Sequence, residues 1–195
     1  MTTAARPSAW DNDSRQRFLD AAVALFVRHS FAGTSLQMVA DELGVTKAAV
    51  YYHFRTRDQL LVAVMEPMLT RLREVIRAAE QQRTPRARAE SMLAGYAALV
   101  AASRSTSSVL TTDPSVIRVL RHHPEWSEVI ARPPVLLAGP DPGPLGGVHA
   151  TTVLTGLAGA ASGAPADLDD DTLATALLHT GRRILGLRAP RRHSA

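Results

Sequence analysis

TSLQMVADELGVTKAAVYYHFRTRDQLL, residues 34–61, decides how the rest of the chain is read. Leu36, Val39, Ala40 and Leu43 fall at the three- and four-residue intervals of one helix face. Thr34 and Ser35 stand before them as cap residues, and Gly44 breaks the run. After Val45, Thr46 can cap a second short helix, Lys47 to about Tyr52, with Val50 and Phe54 inward and the ring of Tyr51 partly covering them. Two short helices joined at a glycine are helix-turn-helix geometry. Leu36, Val39, Ala40, Val45 and Val50 have the spacing to fix the angle between them. Thr46, Lys47, Ala49 and Tyr52 are then exposed, and the small side chains of Ala48 and Ala49 allow another surface to come close.

Upstream, Phe18, Ala22, Leu25, Phe26 and His29 recur at helical spacing and predict a helix from about Ser14 to Ser30, with Asp11, Asn12, Asp13 and Ser14 as cap candidates. Phe31-Ala32-Gly33 ends it, with Gly33 suited to a left-handed cap. Downstream, Thr56 caps a helix from Arg57 to about Gln82 that should kink at Pro67. Pro85 starts another, to about Ser103, with Met92, Leu93, Tyr96, Leu99 and Val100 inward. Ser103 to Thr112 reads as a polar connection. Asp113-Pro114 opens a helix ending near His122, and Pro124-Glu125-Trp126 opens a further short one. Arg132 to Gly147, with five prolines and four glycines, reads as a mobile loop. The last two helices are expected over about Gly147–Ser162 and from the acidic run Asp169-Asp170-Asp171 to near Leu187. No segment reads as a strand, so the predicted fold is all-α. The expected organisation is a leader over 1–13, a helix-turn-helix domain over 14–56, a helical domain over 57–188 and a basic tail over 189–195.

At 195 residues the chain is long enough to bury a substantial core. It has no cysteine, which removes disulfides, thiolate metal sites and a cysteine nucleophile, and fits a cytoplasmic protein. The first residues lack the apolar core of a signal peptide. The uncharged stretch from Pro142 to Ala166 is too rich in Gly, Ala, Thr and Pro for a membrane span, so no membrane partner is expected. His122, His123, Glu125 and Glu128 read as a surface cluster rather than a metal site, because Pro124 interrupts the helical register. No glycine loop of the dinucleotide or phosphate-binding form occurs, and nothing groups a nucleophile with a base, so neither an enzyme nor a cofactor is expected. Net charge is +4, but residues 1–60 hold seven Lys/Arg against six Asp/Glu. Any affinity for nucleic acid must therefore come from placement rather than bulk charge.

Placement supplies it. A short helix carrying Thr46, Lys47, Ala48, Ala49 and Tyr52 suits base edges in a major groove. Thr34 and Ser35 at a helix start, with Tyr51, His53 and Arg57, can hold phosphates. The segment resembles the tetracycline-repressor (TetR/AcrR) family of regulators. The matching residues are Ala24-Leu25-Phe26, Gly33-Thr34-Ser35, Val39-Ala40, Leu43-Gly44-Val45, Tyr51-Tyr52-His53-Phe54 and Leu60-Leu61. They span about Phe18 to Leu61. Ala48 stands where the family often has glycine, and Arg57 where it often has lysine.

The resemblance implies a homodimer on a double-stranded palindromic operator, usually acting as a repressor released by a small molecule. The remaining helices would then form a ligand-binding and dimerisation domain. Amphipathic placement offers Met65, Met68, Leu72, Tyr96, Leu99, Val100, Ile117, Leu120, Trp126 and Thr155 as walls of a mostly apolar pocket for a small apolar ligand. Thr152, Gly156, Gly159, Ala160 and Gly163, with Leu173, Leu177, Thr180 and Ile184, are either intrachain core or a four-helix dimer interface. The resemblance favours the interface.

Overall fold

The computed structural model describes residues 9–187, with side chains omitted at 9–12 and 111–112. Among the described residues there are ten helices and no strand. In chain order they are α1 (Ala9–His29), α2 (Leu36–Leu43), α3 (Lys47–His53), α4 (Arg57–Glu80), α5 (Pro85–Ala101), α6 (Arg104–Thr112), α7 (Pro114–His122), α8 (Ser127–Ala138), α9 (Gly143–Ser162) and α10 (Asp170–Ile184). The chain divides into two compact units, Met1–Glu66 and Pro67–Ala195, so the division falls inside α4. Of the leader expected over 1–13, residues 1–8 lie outside the described residues and the rest belong to α1. The expected tail over 189–195 also lies outside them.

In the first unit, Phe18, Ala22, Leu25 and Phe26 of α1 are buried together with Phe31, Val39, Ala40, Val50, Phe54, Leu60 and Leu61. Phe26 and Phe31 meet edge to face with ring centroids 5.4 Å apart, a favoured aromatic geometry. Arg28 of α1 donates to Glu42 of α2 at 2.7 Å. Thr56 caps α4 as expected. Its hydroxyl accepts from the Gln59 backbone N–H at 3.1 Å, while the Gln59 side chain accepts from the Arg55 N–H at 2.9 Å.

In the second unit α5 is the central element. It packs against α6, α8, α9 and α10. Ala89, Met92, Leu93, Tyr96, Ala97, Leu99, Val100 and Ala101 are buried, as expected of a helix with apolar side chains all round. Arg182 of α10 ion-pairs with Glu90 of α5. Arg104 reaches the backbone oxygens of Pro165 and Leu168 and the carboxylate of Asp170, tying α6 to the start of α10.

Several boundaries differ from the sequence reading. Helix α1 begins at Ala9, so Asp13 and Ser14 lie within it rather than capping it. Cap residue types permit a helix start without requiring one. The left-handed residue that ends α1 is Ser30, at φ 60°, and not Gly33. Gly33 is needed for a different reason: a Cβ there would collide with the His29 carbonyl. The stretch 104–112 is helix α6 rather than a connection. The expected loop over 132–147 shrinks to 139–142, because α8 runs through Pro133 and Pro134 and α9 starts at Gly143. A proline inside a helix costs about 3 kcal/mol. Here Val129, Pro133, Leu136 and Leu137 share one buried face, and that burial outweighs the lost bonds.

Two expectations follow. Gly33→Ala should lower the thermal stability of the first unit by about 1–3 kcal/mol, because the atom in the way is backbone and cannot rotate aside. Chemical denaturation followed by circular dichroism checks it; an unchanged midpoint would remove the close-approach argument. The second concerns Asp169, which caps α10. Its carboxylate accepts from the Thr172 N–H at 2.8 Å, and that bond holds its pKa below the usual value. A lowered folded-state pKa stabilises the fold above the unfolded carboxylate value, and the contribution is lost as pH falls through the lowered one. Asp169→Ala should therefore lower Tm at neutral pH, with the gap from the parent closing in acid.

Candidate nucleic-acid interface and inner cavity

The α2–α3 turn is built from backbone upward. Ser35 caps α2, its hydroxyl accepting from the Met38 N–H at 3.2 Å. At the other end Gly44 takes the left-handed conformation, φ 64°. The Val45 N–H bonds the Ala40 carbonyl at 3.0 Å and the Gly44 N–H bonds Asp41 at 3.2 Å. That pair of bonds closes a helix end and turns the chain sharply. Thr46 then caps α3, accepting from the Ala49 N–H at 3.3 Å. Val50 is buried, so one face of α3 is anchored and the opposite face is presented outward.

On that outer face Thr46, Lys47 and Ala48 are exposed, and Ala49 is half-buried. Tyr52 is the most open aromatic there, 75% exposed. Tyr51 is 38% exposed, with the Lys47 ammonium 5.4 Å from its ring centroid. His53 is half-buried, with its ring 5.1 Å from both Phe18 and Tyr52. Lys47, Tyr51 and Tyr52 are thus gathered on one short helix.

Two residues expected at the phosphate backbone make contacts within the fold. Thr34 is buried; its hydroxyl donates to the Ser30 carbonyl at 2.8 Å and its N–H to the Phe31 carbonyl at 3.2 Å. Both donors are used, so Thr34 is corrected to a structural residue. Arg57 stacks on the Phe31 ring at 4.4 Å and donates through one nitrogen to the carbonyls of Ala32 and Thr34, at 2.8 and 3.2 Å. It braces the α1–α2 turn. The sequence carries no sign of this, because the partners are backbone atoms more than twenty positions away.

In the second unit a cavity of about 180 Å³ is lined by α4, α5, α6, α7, α8 and α9. Five expected walls line it: Met68, Leu72, Tyr96, Ile117 and Thr155. Five do not. Met65 belongs to the first unit, and Leu99, Val100, Leu120 and Trp126 are buried elsewhere in the core. Helical spacing shows that a face is inward without showing whether it meets a void or another side chain. The residues missed are Leu69, Leu110, Arg121, Ile130, Pro133, Pro134, Thr151 and Leu154. Tyr96 donates its hydroxyl to the Leu154 carbonyl at 2.9 Å, and burial pushes its pKa above the ordinary tyrosine range, so the phenol stays neutral. A wider groove between α4 and α8 carries Arg73, Glu80, Glu125 and Arg132, which pair as Arg73–Glu125 and Arg132–Glu80.

The small-residue stripe also divides. Thr152, Gly156, Ala160 and Gly163 are exposed on or just after α9, with Gly159 half-buried, and a Cβ at Gly156 or Gly159 would meet open space. Thr180 is exposed and Ile184 half-buried on α10, but Leu173 and Leu177 are buried within the protomer. The last two are core residues here, since α10 turns that face to its neighbours α5 and α9. Among the described residues no helix is long and apolar enough to cross a membrane.

Residues 18–64 match the family described as bacterial regulatory proteins, tetR family. The HTH-type regulator SrpR of Pseudomonas putida is 37% identical over 62 residues, 32% of this chain and 29% of that one. AcrR of Shigella flexneri is 37% identical over 54 residues, 28% of this chain and 25% of that one. The matched segment spans between about a fifth and under a half of the first curated relatives. Solved structures extend the likeness to the whole fold. A tetR-family regulatory protein from Rhodococcus RHA1 superposes with TM-score 0.61 at 18% identity, covering 90% of this chain and 98% of that one. The ketosteroid regulator KstR2 of Mycobacterium tuberculosis gives 0.61 at 14% identity, covering 95% and 97%. The head over residues 18–64 is thus similar to the tetR family of bacterial regulatory proteins, and the whole chain shares the all-helical fold of solved tetR-family structures.

Proposed function

We propose that the protein is a cytoplasmic, homodimeric transcriptional repressor that binds a palindromic operator and is released by a small ligand held in its C-terminal unit. The observation that carries the reading is the outer face of α3, where Thr46, Lys47, Ala48 and Tyr52 stand exposed above the buried Val50. In this reading Lys47 and Tyr52 meet base edges, with Thr46 at the helix start and Ala48 and Ala49 permitting close approach. Ser35, Tyr51 and His53 hold the sugar-phosphate backbone. The head comprises α1 to α3, and the helices from α4 onward form the ligand-binding and dimerisation domain. The stripe Thr152, Gly156, Ala160 and Thr180 forms the contact between copies, because small exposed side chains let helices approach closely.

Selection of bound fragments from random DNA tests this directly. The parent should enrich a pseudo-palindrome with half-sites one helical turn, or a multiple of it, apart. On that site Lys47→Ala should lose about tenfold in affinity and relax preference at the bases it meets. Tyr51→Phe should weaken all sequences alike, by a smaller factor, since it removes one phosphate donor. No enriched site, or variants that bind like the parent, would remove α3 from the groove.

A further inference from the structure

The cavity of the C-terminal unit combines three properties. It is small: about 180 Å³, room for about six methylene- or water-sized groups at roughly 30 Å³ each. Its walls are chiefly apolar, from Met68, Leu69, Leu72, Ile117, Ile130 and Leu154. Two of its hydroxyls are already engaged, Tyr96 with the Leu154 carbonyl and Thr155 with the Thr151 carbonyl. Third, among the described residues its single charged lining group is Arg121, and no carboxylate lines it. Arg121 is solvent-exposed, so it stands where the cavity meets water. Arg73 and Arg132, in the groove between α4 and α8, have carboxylate partners. Among the described residues Arg121 has none.

From this we infer that the cavity takes a medium-chain monocarboxylic acid, with about six or seven chain carbons in the apolar space and its carboxylate on the Arg121 guanidinium at the mouth. The inference rests on the reading that this unit binds a ligand, and it assigns that ligand's chemical class. A guanidinium offers a carboxylate two parallel, charge-assisted hydrogen bonds. A neutral molecule of the same shape gains only the burial of its chain, and an amine is repelled. A dicarboxylate would have to bury its second charge where no cation waits.

Isothermal titration of the full-length protein with octanoate, octan-1-ol and octylamine tests it, on the parent, Arg121→Gln, Arg121→Lys and Ile117→Trp. Octanoate should bind the parent and lose about tenfold or more with Arg121→Gln, while Arg121→Lys keeps part of the affinity. Octan-1-ol should bind the parent and Arg121→Gln alike. Ile117→Trp, which fills the cavity and leaves Arg121 in place, should abolish octanoate binding. The inference is overturned if octanoate fails to bind the parent, binds Arg121→Gln equally, survives Ile117→Trp, or is outcompeted by octylamine. These titrations contain no DNA, so their failure is distinct from failure of the repressor reading, which appears as the absence of an enriched site.

Discussion

The left-handed turn at Gly44 sets the geometry on which the head depends. Two backbone bonds, Val45 N–H to Ala40 and Gly44 N–H to Asp41, close α2 and launch α3 two residues later. A side chain at Gly44 would meet open space, so conformation rather than crowding selects glycine there. With the turn fixed, Val39, Ala40 and Val50 bury one side of both helices. The other side of α3 then has no freedom to choose what it exposes. Lys47, Tyr51 and Tyr52 are presented together because Val50 is held inward.

A second brace works on the other side of α2. Thr34 and Arg57 together fix the turn between α1 and α2. Thr34 closes onto the Ser30 carbonyl, and Arg57 bridges the Ala32 and Thr34 carbonyls with its guanidinium carbon over the Phe31 ring. A planar, always-charged guanidinium can lie against a ring and donate at once, and its fixed plane sets the direction of both donors. The arginine at this position therefore has a structural reason that does not involve a ligand.

Most of the head was legible in sequence, and the reason is local chemistry. The bounds of α2 and α3, the cap residues Ser35, Thr46 and Thr56, and the break at Gly44 depend on neighbours within four residues. The inward positions of α5 were equally legible, since Met92, Leu93, Tyr96, Leu99 and Val100 are all buried. What sequence hid was long-range. Arg57 reaches carbonyls that have no side-chain signature. The Arg132 to Gly147 stretch looked like a loop because proline and glycine dominate local propensity, yet the apolar spacing of Val129, Pro133, Leu136 and Leu137 prevailed. Half of the anticipated cavity walls turned out to be close-packed core, a distinction that needs the partner helix.

The modest charge of the head is compatible with nucleic-acid binding once the arginines are followed to their partners. Arg28 is held by Glu42, Arg15 lies over Phe54 and near Glu66, and Arg57 is directed onto the backbone of its own fold. These three are held by the scaffold, while Arg17 and Arg55 are exposed. The single lysine of the chain stands instead on the exposed face of α3, over an aromatic ring that limits where its ammonium can go. A few cations at fixed positions give less non-specific attraction than a basic patch, since that attraction scales with the number of phosphates neutralised. Discrimination between base pairs depends on where a donor sits rather than on how many there are. Economy of charge and a rigid α2–α3 turn are therefore two sides of one arrangement: the fewer the cations, the more exactly the fold has to place each one.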